Sequence, residues 1–238
     1  MQNMNGFFEI DIKNLLEFFD EKPITSQRHA TSLTQMFGED LGAALFNHYL
    51  NSRGIESRVI SNKCTTGKKS GPRLDRWILT NENGYRVLYQ TEIKNWSAHA
   101  IGGSIIRTMA SSDELSEYGK KEWSNIWDSE KSNFKWPTLS KVLFEMKEPT
   151  NIEYDEKRPL LIYWIPLCYM ERSSPFFNVQ VKSNIFDRLW VFSMSSYLRS
   201  INTDKIVVKN MPNFANRLLW INSIFKSIDD RLPPDNRP

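Results

Sequence analysis

The sequence predicts an α/β domain in which a mixed central β-sheet is flanked by helices and carries a helical insertion. Three observations carry that expectation. Segments of helical spacing and segments of period-two alternation follow one another in the order helix, strand, hairpin, helix, strand, helix. A continuous apolar run, RPLLIYWIPLCY at residues 158–169, has the pattern of a strand covered on both faces. Hydrophobic residues make up 40% of the chain, with 8 Trp and 14 Phe, which supplies a core and excludes a disordered chain.

The elements follow in order. DIKNLLEFFD, residues 11–20, places apolar side chains at helical spacing and stops near Lys22-Pro23, because a residue before proline avoids the helical region. A second helix spans 38–53, with Leu41, Leu45, Phe46 and Tyr49 as its stripe and Gly54 as its C-terminal glycine. Residues 56–60 read as a strand and 62–72 as a polar loop rich in lysine. Segments 73–80 and 85–94 alternate on either side of Asn-Glu-Asn-Gly, which is a hairpin signal. A helix is expected over 98–115, and a charged helical insertion over 116–157. Strands are expected at 176–182 and 189–193, then a helix at 195–201. A C-terminal amphipathic helix spans 213–228, its stripe of Phe214, Leu218, Leu219, Ile221 and Phe225 suiting core or a dimer face. Residues 232–238 read as a disordered tail, and the 238 residues together as a single domain.

Net charge is only +3, so partner preference has to come from local patches. Cys64 and Cys168 lack the spacing of a zinc site and read as reduced thiols. The first residues lack a signal-peptide pattern, and no apolar run reaches the about 18 residues of a membrane span. A cytoplasmic protein without membrane contact is expected.

The chemistry concentrates on the hairpin. The pattern Asp/Glu-x-Lys recurs at Asp11, Asp20, Glu92, Glu145 and Asp155, but only Glu92-Ile93-Lys94 ends a strong strand. If Asn83-Gly84 forms a two-residue turn, Glu82 pairs with Tyr85, and counting back along both strands sets Asp75 opposite Glu92. Their Cβ atoms would then lie about 4.5–5.5 Å apart. Period two places Lys94 on the Glu92 face. Trp77, Leu79 and Leu88 share that face, while Ile78, Val87, Tyr89 and Ile93 line the other, so both look covered. Covered like charges destabilise one another unless a cation lies between them, and two carboxylates with waters and a phosphate suit Mg²⁺.

Asp75, Glu92 and Lys94 resemble the active-site motif of the PD-(D/E)XK, or restriction-endonuclease-like, nuclease superfamily. The resemblance covers a core of about 38–201 and implies a core of helix, three strands, helix and strand. It also implies Mg²⁺ (Mn²⁺ substituting) held by Asp75 and Glu92 with the Ile93 carbonyl as a further ligand. Lys94 would orient or deprotonate the attacking water, and carboxylate neighbours that favour its charged form suit orientation. By position, Glu39 matches a glutamate that often completes such sites; equally, it suits the positive end of its helix. The implied activity is DNA phosphodiester hydrolysis by a homodimer or larger assembly, with restriction or antiviral defence, and a protein partner or activator, among the settings of that family. A catalytically silent nucleic-acid-binding or scaffolding module on the same fold is the alternative.

Lys63, Lys68, Lys69, Arg73 and Arg76 lead into the hairpin, and either track a phosphate backbone or remain a solvated loop. His99 is either a substrate contact or structural. Thr66-Gly67-Lys68-Lys69-Ser70 is not a phosphate-binding loop, since Asn62 replaces the upstream glycine and Lys69 the hydroxyl residue. Gln90 shares the Glu92 face, where it either positions a water or satisfies backbone.

Overall fold

The computed structural model describes residues 7–20, 37–61, 64–67, 73–94, 142–163, 174–180 and 185–224. Ten strands are defined among them: β1 Phe8–Asp11, β2 Glu56–Ser61, β3 Cys64–Thr65, β4 Arg73–Leu74, β5 Arg76–Glu82, β6 Tyr85–Lys94, β7 Glu156–Tyr163, β8 Phe176–Gln180, β9 Arg188–Ser193 and β10 Lys205–Val208. The helices are α1 Ile12–Asp20, α2 Asp40–Asn51, α3 Met194–Ser200 and α4 Pro212–Ile224.

Six strands form one mixed sheet in the order β2-β5-β6-β7-β9-β8. β2, β5 and β6 run as an antiparallel meander, β7 joins β6 in parallel, and β9 joins β7 in parallel. Alternation along β6 explains how its two faces are filled. Val87, Tyr89 and Ile93 enter a cluster with Leu41, Leu45 and Phe46 of α2 and with Met194, Tyr197 and Leu198 of α3. Leu88 turns the other way, into a cluster with Trp77, Leu79, Leu161, Val191, Val142, Leu143 and Met146. Both faces of the centre are therefore dry, which accounts for the unbroken apolar run in β7.

Local signals set the helix ends. Asp11 Oδ1 accepts the Asn14 amide at 2.9 Å and starts α1. Gly54, at φ +75°, closes α2 with its amide on the Asn51 carbonyl at 3.0 Å. Ser193 ends β9 and its hydroxyl accepts the Ser196 amide, so strand passes directly into α3.

The structure departs from expectation in three places. β1 and β10, unforeseen, pair with each other as a separate antiparallel ribbon. β3 and β4 pair across the polar loop. Of the expected helical insertion over 116–157, residues 116–141 lie outside the described residues; 143–155 is turn and irregular chain rather than helix, and β7 begins at Glu156. Val142, Leu143 and Met146 are nonetheless buried. In α4 only Ala215 is buried, while Leu219, Trp220 and Ile224 are 48%, 71% and 66% exposed. The expected helix at 98–115 and the tail at 232–238 lie outside the described residues. No described helix is long and apolar enough to cross a membrane.

Candidate metal centre

The site begins with the turn. Asn83 and Gly84 both take positive φ, +53° and +92°, as a two-residue hairpin requires. Asn81 Oδ1 braces the turn by accepting the Gly84 amide at 2.9 Å. Glu82 pairs with Tyr85, and the register runs unbroken back to Arg76 opposite Thr91. That is the expected register, and one more step would set Asp75 against Glu92.

The last step does not occur. Asp75 donates its amide to the Thr91 carbonyl at 3.0 Å, although Thr91 already faces Arg76. The regular ladder therefore ends at Arg76 and Thr91, and Asp75 is free of the alternation that a paired strand imposes. The Asp75 carboxylate turns along the end of β6, where Oδ2 accepts the Ile93 amide at 2.6 Å. The predicted cross-strand pair is corrected accordingly: Asp75 is bound to the residue after Glu92. Glu92 lies on β6 beside Leu161 of β7 and is 3% exposed.

Glu39 stands immediately before α2, where its carbonyl accepts the Ala43 amide at 3.3 Å. Its side chain makes no capping bond to the helix. It meets Asp75 instead. Withdrawal from water, the charge of Asp75, a side-chain hydrogen bond to Asp75 and the charge of Glu92 all raise its pKa, and the positive Arg76 only partly opposes them, leaving it at about 7. Two carboxyl groups in hydrogen-bond contact are too close for both to ionise freely. Glu39, which sequence left between two readings, is thereby gathered with Asp75 and Glu92 in one electrostatic unit.

Lys94 ends β6 opposite Tyr163, and its side chain lies outside the described residues. Ile93 holds its place through its amide, with its side chain in the core. Arg73 is exposed on β4. Lys63, Lys68, Lys69 and His99 lie outside the described residues.

Arg76 requires a correction. Expected among the phosphate-tracking cations, it is 2% exposed and ion-paired with Asp40, itself fully buried. Asp40 also accepts the amides of Asn213 and Phe214, at 2.7 and 3.0 Å, and the Asn213 side-chain amide at 3.0 Å. Its carboxylate thus caps the first turn of α4 while neutralising Arg76. Sequence carried no signal for this pair, since the partners are separated by 36 positions. Gln90 also resolves as structural, its Nε2 donating to the carbonyls of Val142 and Phe144 at 2.6 and 2.7 Å.

Among the described residues, no three His, Cys, Asp or Glu side chains form a ready-made metal cage. The donor chemistry nevertheless fits a hard divalent cation. The groups are carboxylates, and the neighbouring acids that raise the Glu39 pKa make a place that positive charge favours. No family model, curated protein or solved structure matches the chain.

Proposed function

We propose that this chain is a metal-dependent DNA endonuclease of the PD-(D/E)XK type. The observation that carries the reading is Glu39 held against Asp75 with its pKa raised to about 7, in the field of Glu92. A chain gains nothing in stability from pressing acids together; a site that receives a cation gains charge complementarity. The order of elements supports the same reading. α2 is followed by the antiparallel meander β2, β5, β6, and β7 lies parallel to β6.

In this reading Asp75 and Glu92 would hold Mg²⁺ or Mn²⁺, with the Glu39 carboxylate beside them adding negative charge to the site. When bound, the cation offsets charge developing on the scissile phosphate and eases deprotonation of water. Ile93 fixes the Asp75 carboxylate through its amide, so one acid enters the site already oriented. Lys94 would orient the attacking water. Cutting both strands of a duplex calls for two such centres, so a homodimer or larger assembly belongs to the reading.

The test is conversion of supercoiled plasmid in Mg²⁺ by wild type, Glu92→Ala and Lys94→Ala, with EDTA as control. Nicking or linearisation by wild type alone, lost in EDTA, is the expected result. Absence of both cleavage and calorimetric Mn²⁺ binding by wild type would overturn the reading and leave a nucleic-acid-binding module.

A further inference from the structure

Glu39 and Asp40 are consecutive, as are Asp75 and Arg76. Asp40 is ion-paired with Arg76, and Glu39 shares a hydrogen bond with Asp75. Two successive residues at the start of α2 therefore meet two successive residues at the start of β5, one contact attractive and one repulsive.

A regular strand forbids this. Neighbouring side chains point to opposite faces, so only one of Asp75 and Arg76 could face α2. Ile78 packs into the α2 cluster, and period two puts Arg76 on that same side. By alternation Asp75 belongs to the opposite side, and it reaches Glu39 because it stands outside the β5–β6 ladder, its amide on the Thr91 carbonyl and its carboxylate on the Ile93 amide.

The attractive member is locked from a third direction. The Asp40 carboxylate accepts from Arg76, from the Asn213 side chain and from the amides of Asn213 and Phe214. Four donors saturate a carboxylate, whose capacity is about four lone-pair sites. Asp40 has no remaining freedom to turn, and Arg76, 2% exposed, has no water to turn toward.

We propose that Arg76 and Asp40, anchored by the first turn of α4, are positioning residues that hold Glu39 and Asp75 face to face for a divalent cation. The inference rests on the metal reading of this site. Stability alone accounts poorly for the pair, because a buried ion pair is commonly no better than apolar residues of similar volume. Here it lies one residue from an acid–acid contact that needs a restraint, and the Arg76 charge offsets part of the repulsion. Groups behind metal-binding side chains commonly govern metal affinity by about 10–100-fold.

The experiment is Mn²⁺ calorimetry on the full chain, with thermal melts in EDTA, for wild type, Arg76→Lys, Asp40→Asn, Asn213→Ala and Glu156→Gln. Glu156→Gln is the control: it breaks the Arg158 pair on β7, beside Val87 and away from Glu92. Expected are Mn²⁺ affinities about 10–100-fold weaker in Arg76→Lys and Asp40→Asn. Asn213→Ala, which removes one hydrogen bond to Asp40, should lose about fivefold. Glu156→Gln should melt earlier yet bind as wild type does. If Asp40→Asn does not fold, Arg76→Lys and Asn213→Ala decide. Folded variants that bind as wild type does would overturn the inference alone, as would equal weakening in Glu156→Gln. Wild type that binds no Mn²⁺ would overturn the metal reading and the inference with it.

Discussion

The Ile93 amide donates to Asp75 Oδ2 across 2.6 Å, so this carboxylate takes an acceptor place that backbone ordinarily fills at a strand edge. Asp75 thus has a structural duty, to which the metal reading adds a chemical one, and substitutions separate them. Asp75→Asn keeps an acceptor for Ile93 but loses the charge; Asp75→Ala loses both. Unfolding in urea should show Asp75→Asn within about 1 kcal/mol of wild type, and Asp75→Ala destabilised by about 1.5–3 kcal/mol, the range for a hydrogen bond to a charged group. Both should lack Mg²⁺-dependent cleavage. Cleavage retained in Asp75→Asn would remove Asp75 from the metal centre.

Glu39 gives the chain a pH dependence of unusual sign. Its pKa rises from 4.5 to about 7 on folding, chiefly through withdrawal from water and the charge of Asp75. Between those values the folded chain keeps a proton that the unfolded chain has released. The associated stability is complete below the lower value and is lost as pH rises through the upper one. In EDTA, wild type should therefore lose more of its Tm than Glu39→Gln between about pH 5 and about pH 8, and Glu39→Gln should melt higher at the alkaline end. Parallel melting curves for the two proteins would show that Glu39 does not carry the shift. In the metal reading, Mn²⁺ should abolish the difference in slope, because the cation takes the place of the Glu39 proton.

Gly84 holds the register on which this geometry depends. At φ +92° it adopts a conformation that side chains resist, yet a Cβ built there meets nothing within 4 Å. Any cost of Gly84→Ala is thus conformational, about 1 kcal/mol, and Gly84→Val should cost more. Asn83, at φ +53°, is a residue type that tolerates the left-handed region, so Asn83→Gly should be close to neutral. Urea titration of the three variants checks the ordering.

What could be read from the sequence was local. The Asn83-Gly84 dipeptide and the period-two flanks specify the hairpin and its register as far as Arg76 and Thr91. They do not specify that the ladder stops short of Asp75, because a one-residue departure is decided by what the side chain meets, and Glu39 lies on another element. Arg76 was assigned to the basic loop by its sequence neighbours, whereas its partner Asp40 is set by tertiary packing. β1 and β10 are four residues each, too short for alternation to register, and the Glu9–Lys205 pair between them spans 196 positions. Val142, Leu143 and Met146 fall in the core although the chain from 143 onward is irregular, because a core surface demands apolar side chains whatever the backbone does.

Gln90 illustrates a buried polar group whose value lies in fastening a segment rather than in chemistry. It is wholly buried, and its Nε2 serves the carbonyls of Val142 and Phe144. Beyond them the Lys147 amide donates to the Thr65 carbonyl at 2.7 Å, so 142–147 is fastened both to β6 and to the β3–β4 ladder. Gln90→Leu conserves volume but strips two carbonyls of their donor, which should cost about 2–4 kcal/mol. Amide exchange at Lys147 should quicken more than exchange in α2, which packs on the opposite face of the sheet. Gln90→Glu is the sharper test. An ionised carboxylate facing two carbonyl oxygens is repelled by both, whereas its neutral acid can still donate to one of them. The variant should therefore lose stability as pH rises, relative to Gln90→Leu. A Gln90→Glu protein that gains stability with pH over Gln90→Leu would mean that a cation, not the 142–144 backbone, is what position 90 faces.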